Sequence, residues 1–254
     1  MNPQQFSHIA LGGEARPANA GGSATGSAST SRPLPEDALI IIPVRNVVLF
    51  PGVILPVSMR RERSVAAAQE AAHGEHQIGL LLQRDPALDK PGPDDLHWVG
   101  TAANVLRYLT TPDGVHHVVT QGQSRFRVLQ FLDGWPFMVA RVQRIDEAAS
   151  DSVEIEGRAL QLKERALEVL QYLPQAPAEL ANAVRSIGSA AQLVDMIAGF
   201  LDLESEEKQA LLETFDLKSR LDKVLAHLSR RIEVLKVSHE IDQKTKEALE
   251  ERSR

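Results

Sequence analysis

Short apolar runs cut by prolines dominate the stretch from Leu39 to Val57. Leu39-Ile-Ile-Ile42, Val47-Val-Leu-Phe50 and Val53-Ile-Leu55 alternate with Pro43, Pro51 and Pro56. A proline ring removes an N–H donor and crowds the preceding turn, so this spacing excludes a helix. The runs are also far shorter than the roughly 20 apolar residues a membrane-spanning helix needs. Two buried strands joined by a sharp Phe50-Pro51-Gly52 turn satisfy both constraints.

Strand-like patterning continues to Ile145. It predicts strands over 77–83, 98–109, 115–121, 126–132 and 136–145, with Pro112-Asp113-Gly114 as a hairpin turn. A polar loop over 85–95 lies between the first two. One helix interrupts the strands over 62–73, with Val65, Ala68 and Ala72 on its inner face and Gly74 as the left-handed residue that ends it.

After Ile145 the period changes. Leu162, Ala166, Val169 and Leu173 step by four, three and four, a helical stripe ended by Pro174 and Pro177. Ser189 and Gln192 have capping-box spacing, and the helix they start buries Leu193, Ile197 and Leu201. Ser205 is placed to cap the next helix. From Asp216 a run without glycine or proline predicts a helix of about 55 Å. Its stripe, Leu221, Leu225, Leu228, Ile232 and Leu235, fades beyond Val237 into polar sequence that needs outside support to stay helical.

The pattern therefore predicts an α+β protein with four stretches: a disordered leader over 1–37, a β-rich lobe over 38–146, a helical bundle over 150–237, and the polar end of the long helix over 238–254. The leader is rich in Ala, Gly, Ser and Pro and has too little apolar surface to offset its chain entropy.

Composition narrows the function. The chain has 254 residues, 43% apolar but only 4% aromatic, so the core is mostly Leu, Val, Ile and Ala. A net charge of −6 argues against nucleic acid held on a general basic surface. With no cysteine, disulfides and thiolate metal sites are out, which suits the cytoplasm, and no secretory signal pattern opens the chain. The phosphate-binding pattern Gly-x-x-x-x-Gly-Lys-Ser/Thr is missing, so no nucleotide cofactor is expected.

Three local matches to catalytic or metal motifs fail on context. Ser205-Glu-Glu-Lys208 has the Ser-x-x-Lys spacing of an acyl-transfer nucleophile but lacks the companion motifs. His73-Gly-Glu-His76 has the wrong separation for two ligands on one helical face, and Gly74 interrupts it. His116 and His117 are strand neighbours pointing to opposite faces. No catalytic, cofactor or metal site is expected.

Pro43-Val-Arg-Asn-Val-Val-Leu-Phe-Pro-Gly52 and the following Pro-Val strand resemble the opening of the Lon protease (endopeptidase La) amino-terminal domain. Several later segments follow in the family's order. Val99-Gly-Thr-Ala102 leads into the hairpin, Gln121-Gly-Gln-Ser-Arg-Phe-Arg127 is similar to the family's Gly-x-x-Arg strand, and Glu206–Glu213 precedes a Leu-x-x-Arg-Leu step from Leu217 to Leu221. The resemblance covers 39–254. It implies a PUA-like lobe, an open barrel with one helix, followed by an all-helical bundle ending in a long helix.

The resemblance also implies a role: recognition of unfolded or damaged polypeptides for ATP-dependent proteolysis. Partners would be those clients, further copies of the chain, or the ATPase and protease domains of Lon; nucleic acid and membrane are not expected. An alternative is that the chain is an excerpt of a full ATP-dependent serine protease whose catalytic domains follow residue 254. A PUA-like RNA-binding module is the weaker third reading, because no Lys/Arg stripe with interleaved aromatics occurs over 39–145. Two groups are candidate contacts for substrate or a neighbouring subunit. Arg61, Glu62 and Arg63 lie in the dense charge cluster of the amino-terminal lobe. Trp135, on the Asp133-Gly-Trp-Pro136 turn, and Phe137 just after it are the second group, aromatic rings placed to form an exposed apolar patch.

Overall fold

The computed structural model describes residues 32–147 and 151–252, so most of the leader expected over 1–37 lies outside the described residues. Six strands come first: β1 (Ala38–Val44), β2 (Ile54–Met59), β3 (Ile78–Leu82), β4 (Val99–Thr110), β5 (His116–Leu132) and β6 (Met138–Ile145). Helix α1 (Glu62–Gly74) separates β2 from β3. Five helices follow: α2 (Val153–Gln171), α3 (Ala178–Ser186), α4 (Ala190–Phe200), α5 (Ser205–Leu212) and α6 (Leu217–Arg252). The fold is α+β.

The length of β5, 17 residues, decides the sheet's topology. Strand β4 pairs along one side of it. On the other side residues 116–121 take β2 and residues 125–132 take β6. The sheet order is β2-β5-β4-β3-β1-β6, and the β5–β6 pairing curls it into a barrel with β2 attached outside the ring. Pro56 is tolerated because β2 pairs on one edge only. Strands β1 and β3 run parallel, and α1 supplies the crossover that a parallel pair requires.

The proline-punctuated run makes sense in this barrel. Ile40 and Ile42 belong to one buried cluster and Leu39 and Ile41 to another on the opposite face. A strand covered on both sides reads as continuous apolar sequence rather than alternation. The turn after Phe50 carries Gly52 at φ 80, and its N–H donates to the Gly122 carbonyl oxygen at 2.9 Å. Gly122 lies so close beneath the turn that a Cβ there would overlap the Phe50 carbonyl oxygen.

The structure corrects several local expectations. The stretches read as separate strands over 115–121 and 126–132 are one strand, in which Gln123 is the extra residue opposite the Ala102–Ala103 step. Helix α1 buries Ser64, Ala67, Ala68 and Ala71, not the face through Val65 and Ala72. These small side chains let the helix lie close on the barrel. Its left-handed end residue is Glu75, at φ 53, one position beyond Gly74. Helix α3 was not foreseen, since only Val184 on it is buried and no stripe shows. Helix α5 is capped by Glu204 with Glu207 reaching back, and Ser205 is its first helical residue.

Other expectations hold. The Ser189 hydroxyl accepts the Gln192 N–H and starts α4, and Asp216 accepts the Ser219 N–H at 2.9 Å and starts α6. Leu221, Leu228 and Ile232 of the expected stripe are buried, together with Val224, in a cluster shared with α2, α4 and α5, whereas Leu225 and Leu235 are half-buried against it. That cluster also takes in Val48, Phe50 and Leu82, so the strand and helical lobes share a core. Residues 236–252 of α6 are exposed throughout.

Candidate functional site: a cleft between the lobes

Four ionised groups meet where the two lobes join. Arg125, on the stretch of β5 that follows Gly122, grips Asp195 of α4 with both terminal nitrogens, at 2.7 and 2.8 Å. Its Nε donates to the Leu212 carbonyl oxygen at the end of α5, at 2.8 Å. Arg220 of α6 approaches the same carboxylate with its Nε at 3.2 Å and donates to the Thr214 carbonyl oxygen and to Glu147. Asp195 and both arginines are 2% exposed or less. A planar guanidinium matches a carboxylate edge-on with two parallel bonds, which is why arginine can be held here. One carboxylate thus ties β5 to α4 and α6.

The junction floors an open cleft of about 820 Å³. Three walls enclose it. Pro51, Gly52, Gln121, Gly122 and Gln123 form the barrel side; Ile155, Glu156, Ala159, Leu160 and Lys163 of α2 form the second; Ile187 through Leu193 form the third, with Asp195 below. Leu160 is 60% exposed although α2 has a buried stripe through Leu162, Ala166 and Val169. Its side chain adds apolar surface to the rim of the cleft, beside Ile155 and Ala159 of the same helix.

The α2 wall is braced from behind. Lys218 of α6 bonds Glu154 at 2.7 Å, and Arg158 bonds Asp222 at 2.7 Å. The hydrogen bond from Lys218, then its charge, holds the Glu154 carboxyl below its ordinary value. On the barrel flank His97 lies 3.2 Å from Glu206, and Gln209 donates to the Val99 carbonyl oxygen at 2.9 Å. These contacts dock α5 on the barrel.

None of the residues expected from sequence as contacts lines the cleft. Arg61 is the residue before α1, half-buried, and its guanidinium donates to Gln83; burial, then neighbouring Arg45, lowers its pKa. Glu62 and Arg63 are exposed in the first turn. Phe137 departs from the expected exposed patch: at 4% exposed it fills the barrel cluster with Val57 and Val139. Its place immediately before β6 turns the ring inward. Trp135 is half-buried against the same cluster, its Nε1 donating to the Arg32 carbonyl oxygen at 2.8 Å and the Arg32 guanidinium above the ring.

Several of the other motif residues have local partners. Lys208 donates to the Gly199 carbonyl oxygen at 2.9 Å, and burial lowers its pKa. The hydroxyl of Ser58 lies 2.9 Å from His117 Nδ1, whereas His116 meets Tyr108. Among the described residues no group of three or more His, Asp and Glu side chains is placed to hold a metal ion, and no helix is long and apolar enough to cross a membrane.

Fold and cleft together define a two-lobed α+β domain with an open recess between a strand barrel and a helix bundle. The chain belongs to the family described as the ATP-dependent protease La (LON) substrate-binding domain, whose profile matches residues 38–230. It is 49% identical over 229 residues to a Lon protease of Phenylobacterium zucineum, covering 90% of this chain and 29% of that protein. A Lon protease of Methylocella silvestris is 45% identical over 234 residues, again with 29% of its length matched. The chain thus spans under a third of these relatives. Among solved structures, the N-terminal domain of a Mycobacterium avium complex Lon protease aligns with a TM-score of 0.62 at 23% identity, over 76% of this chain and 98% of that one. A Lon N-terminal domain protein from Xanthomonas campestris aligns with a TM-score of 0.54 at 20% identity, over 74% and 97%. Both share the fold.

Proposed function

We propose that this domain captures unfolded or damaged polypeptides for ATP-dependent proteolysis and that the interlobe cleft is where a client segment rests. The observation that carries the reading is the cleft itself, about 820 Å³, with Leu160 unburied on its rim and Ile155, Ala159 and Ile187 alongside. Apolar side chains of an unfolded chain gain roughly 25 cal/mol per Å² buried against such a wall, without demanding a particular sequence. Each contact is weak. Several copies acting on one client would multiply them through effective concentration.

In this reading the chain itself breaks no bond. The ATPase and protease domains of a Lon-type protein are its working partners, self-association is the route to several copies, and a reducing cytoplasm suits a chain without cysteine. The experiment is binding of fluorescein-labelled, reduced casein to the purified chain and to a Leu160→Asp variant. Leu160 is exposed, so the variant keeps its fold, and affinity is expected to fall about tenfold. Unchanged affinity removes the cleft from the proposal. ATP or peptide turnover by the purified chain removes the non-catalytic role.

A further inference from the structure

Resting on the reading of the cleft as the client's seat, we infer that it selects extended segments in which an apolar residue and a lysine or arginine stand two positions apart. Four carboxylates line the cleft, Glu147, Asp151, Glu156 and Asp195, against one amine, Lys163. Two of the four are neutralised from behind. Asp195 is held by Arg125 and Arg220, and Glu147 by Arg220. Asp151 and Glu156 remain exposed to whatever enters. The Lys163 ammonium points at the Arg185 carbonyl oxygen, 3.4 Å away, so it does not answer either of them.

Spacing supplies the second half of the argument. Glu156 and Leu160 stand four residues apart on α2, side by side on one face with Cβ atoms about 5–6 Å apart. An extended chain places alternate side chains on the same side about 6.6 Å apart. A client residue resting on Leu160 therefore brings the next residue of the same face to the Glu156 carboxylate. An apolar residue and a cation in alternation fit that pair, whereas an acidic residue meets like charge. One feature of the cleft has the opposite sign. The amino-terminal turn of α4, from Ser189 to Gln192, opens on it, and a helix start favours anions. The Ser189 hydroxyl already occupies one of its free N–H groups.

The test uses two labelled extended peptides, one built from Leu-Ser-Lys units and its Leu-Ser-Glu counterpart, with anisotropy read on the full chain. The lysine peptide is expected to bind about fivefold more tightly, the scale of a few exposed ion pairs. In the isosteric pair Asp151→Asn with Glu156→Gln the difference should shrink below about twofold. Equal affinities in the unaltered chain overturn the inference, and a preference for the glutamate peptide overturns it in favour of the α4 terminus. A dimer of this chain that must dissociate before peptide binds overturns it too, because a second copy is then the occupant. Reduced casein separates the two levels. Casein bound without charge preference sinks this inference alone; casein and both peptides unbound sink the client reading with it.

Discussion

Arginine appears in two regions of this molecule with opposite consequences. Around the start of α1, Arg60, Arg61 and Arg63 form the cluster that stands out in the sequence, yet Arg60 and Arg63 are exposed and Arg60 reaches Asp113 only at 4.0 Å. At the lobe junction, Arg125 and Arg220 lie outside any such run of adjacent charges and are almost fully buried on one carboxylate. Charge density along the chain therefore says little about where charge matters. An exposed pair exchanges one set of hydrogen bonds for another in water. A buried guanidinium left without its partner retains its desolvation penalty and has nothing to offset it.

The same substitution at both places makes the comparison measurable. Arg125→Met strips Asp195 of its two-pronged partner and leaves the Leu212 carbonyl oxygen without its donor. It is expected to cost about 3–5 kcal/mol, read as the drop in urea unfolding free energy. Next in size is Gly122→Ala, three residues before Arg125 on β5. The added methyl must displace the Phe50 carbonyl or β5 itself, so about 1–3 kcal/mol should be lost. Arg60→Met should change stability by less than about 0.5 kcal/mol. If it instead matched Arg125→Met, the contrast between the two regions would be void.

The sequence made the elements legible wherever burial is local. The four consecutive apolar residues of β1, the Ser189 and Asp216 caps and the leucine stripe of α6 each follow from neighbours a few positions apart. So does the fading of that stripe past Val237. What could not be read is what depends on distant partners. Arg125 and Asp195 are 70 residues apart, and the cleft draws its lining from five separated stretches of chain. Leu160 offered one faint signal, a leucine off the buried stripe of its own helix. Phe137 misled because a ring beside a Gly-Trp-Pro turn reads as exposed until the strand that receives it is placed. Glu75 took the left-handed role expected of Gly74 because α1 runs one residue further than its composition suggests. The arginines of the Gly-x-x-Arg and Leu-x-x-Arg-Leu segments were visible as motif residues, but their meeting on one aspartate was not.

The smallest effect concerns the brace behind the cleft, where Lys218 and Glu154 join α6 to α2 on the surface. The lysine's hydrogen bond and charge hold the Glu154 carboxyl below its ordinary value of 4.5. A carboxylate whose folded value is depressed contributes its stability above the unfolded value and loses it as pH falls through the folded one. The contribution should therefore be complete at neutral pH and fade below about pH 4.5. Urea midpoints of the unaltered chain and of Glu154→Gln should differ slightly at neutral pH and converge as the solution is acidified. A gap that stays constant with pH would mean that the substitution acts through the first turn of α2 rather than through the ion pair. A gap as large as that of Arg125→Met would place a surface brace on the same footing as the buried junction.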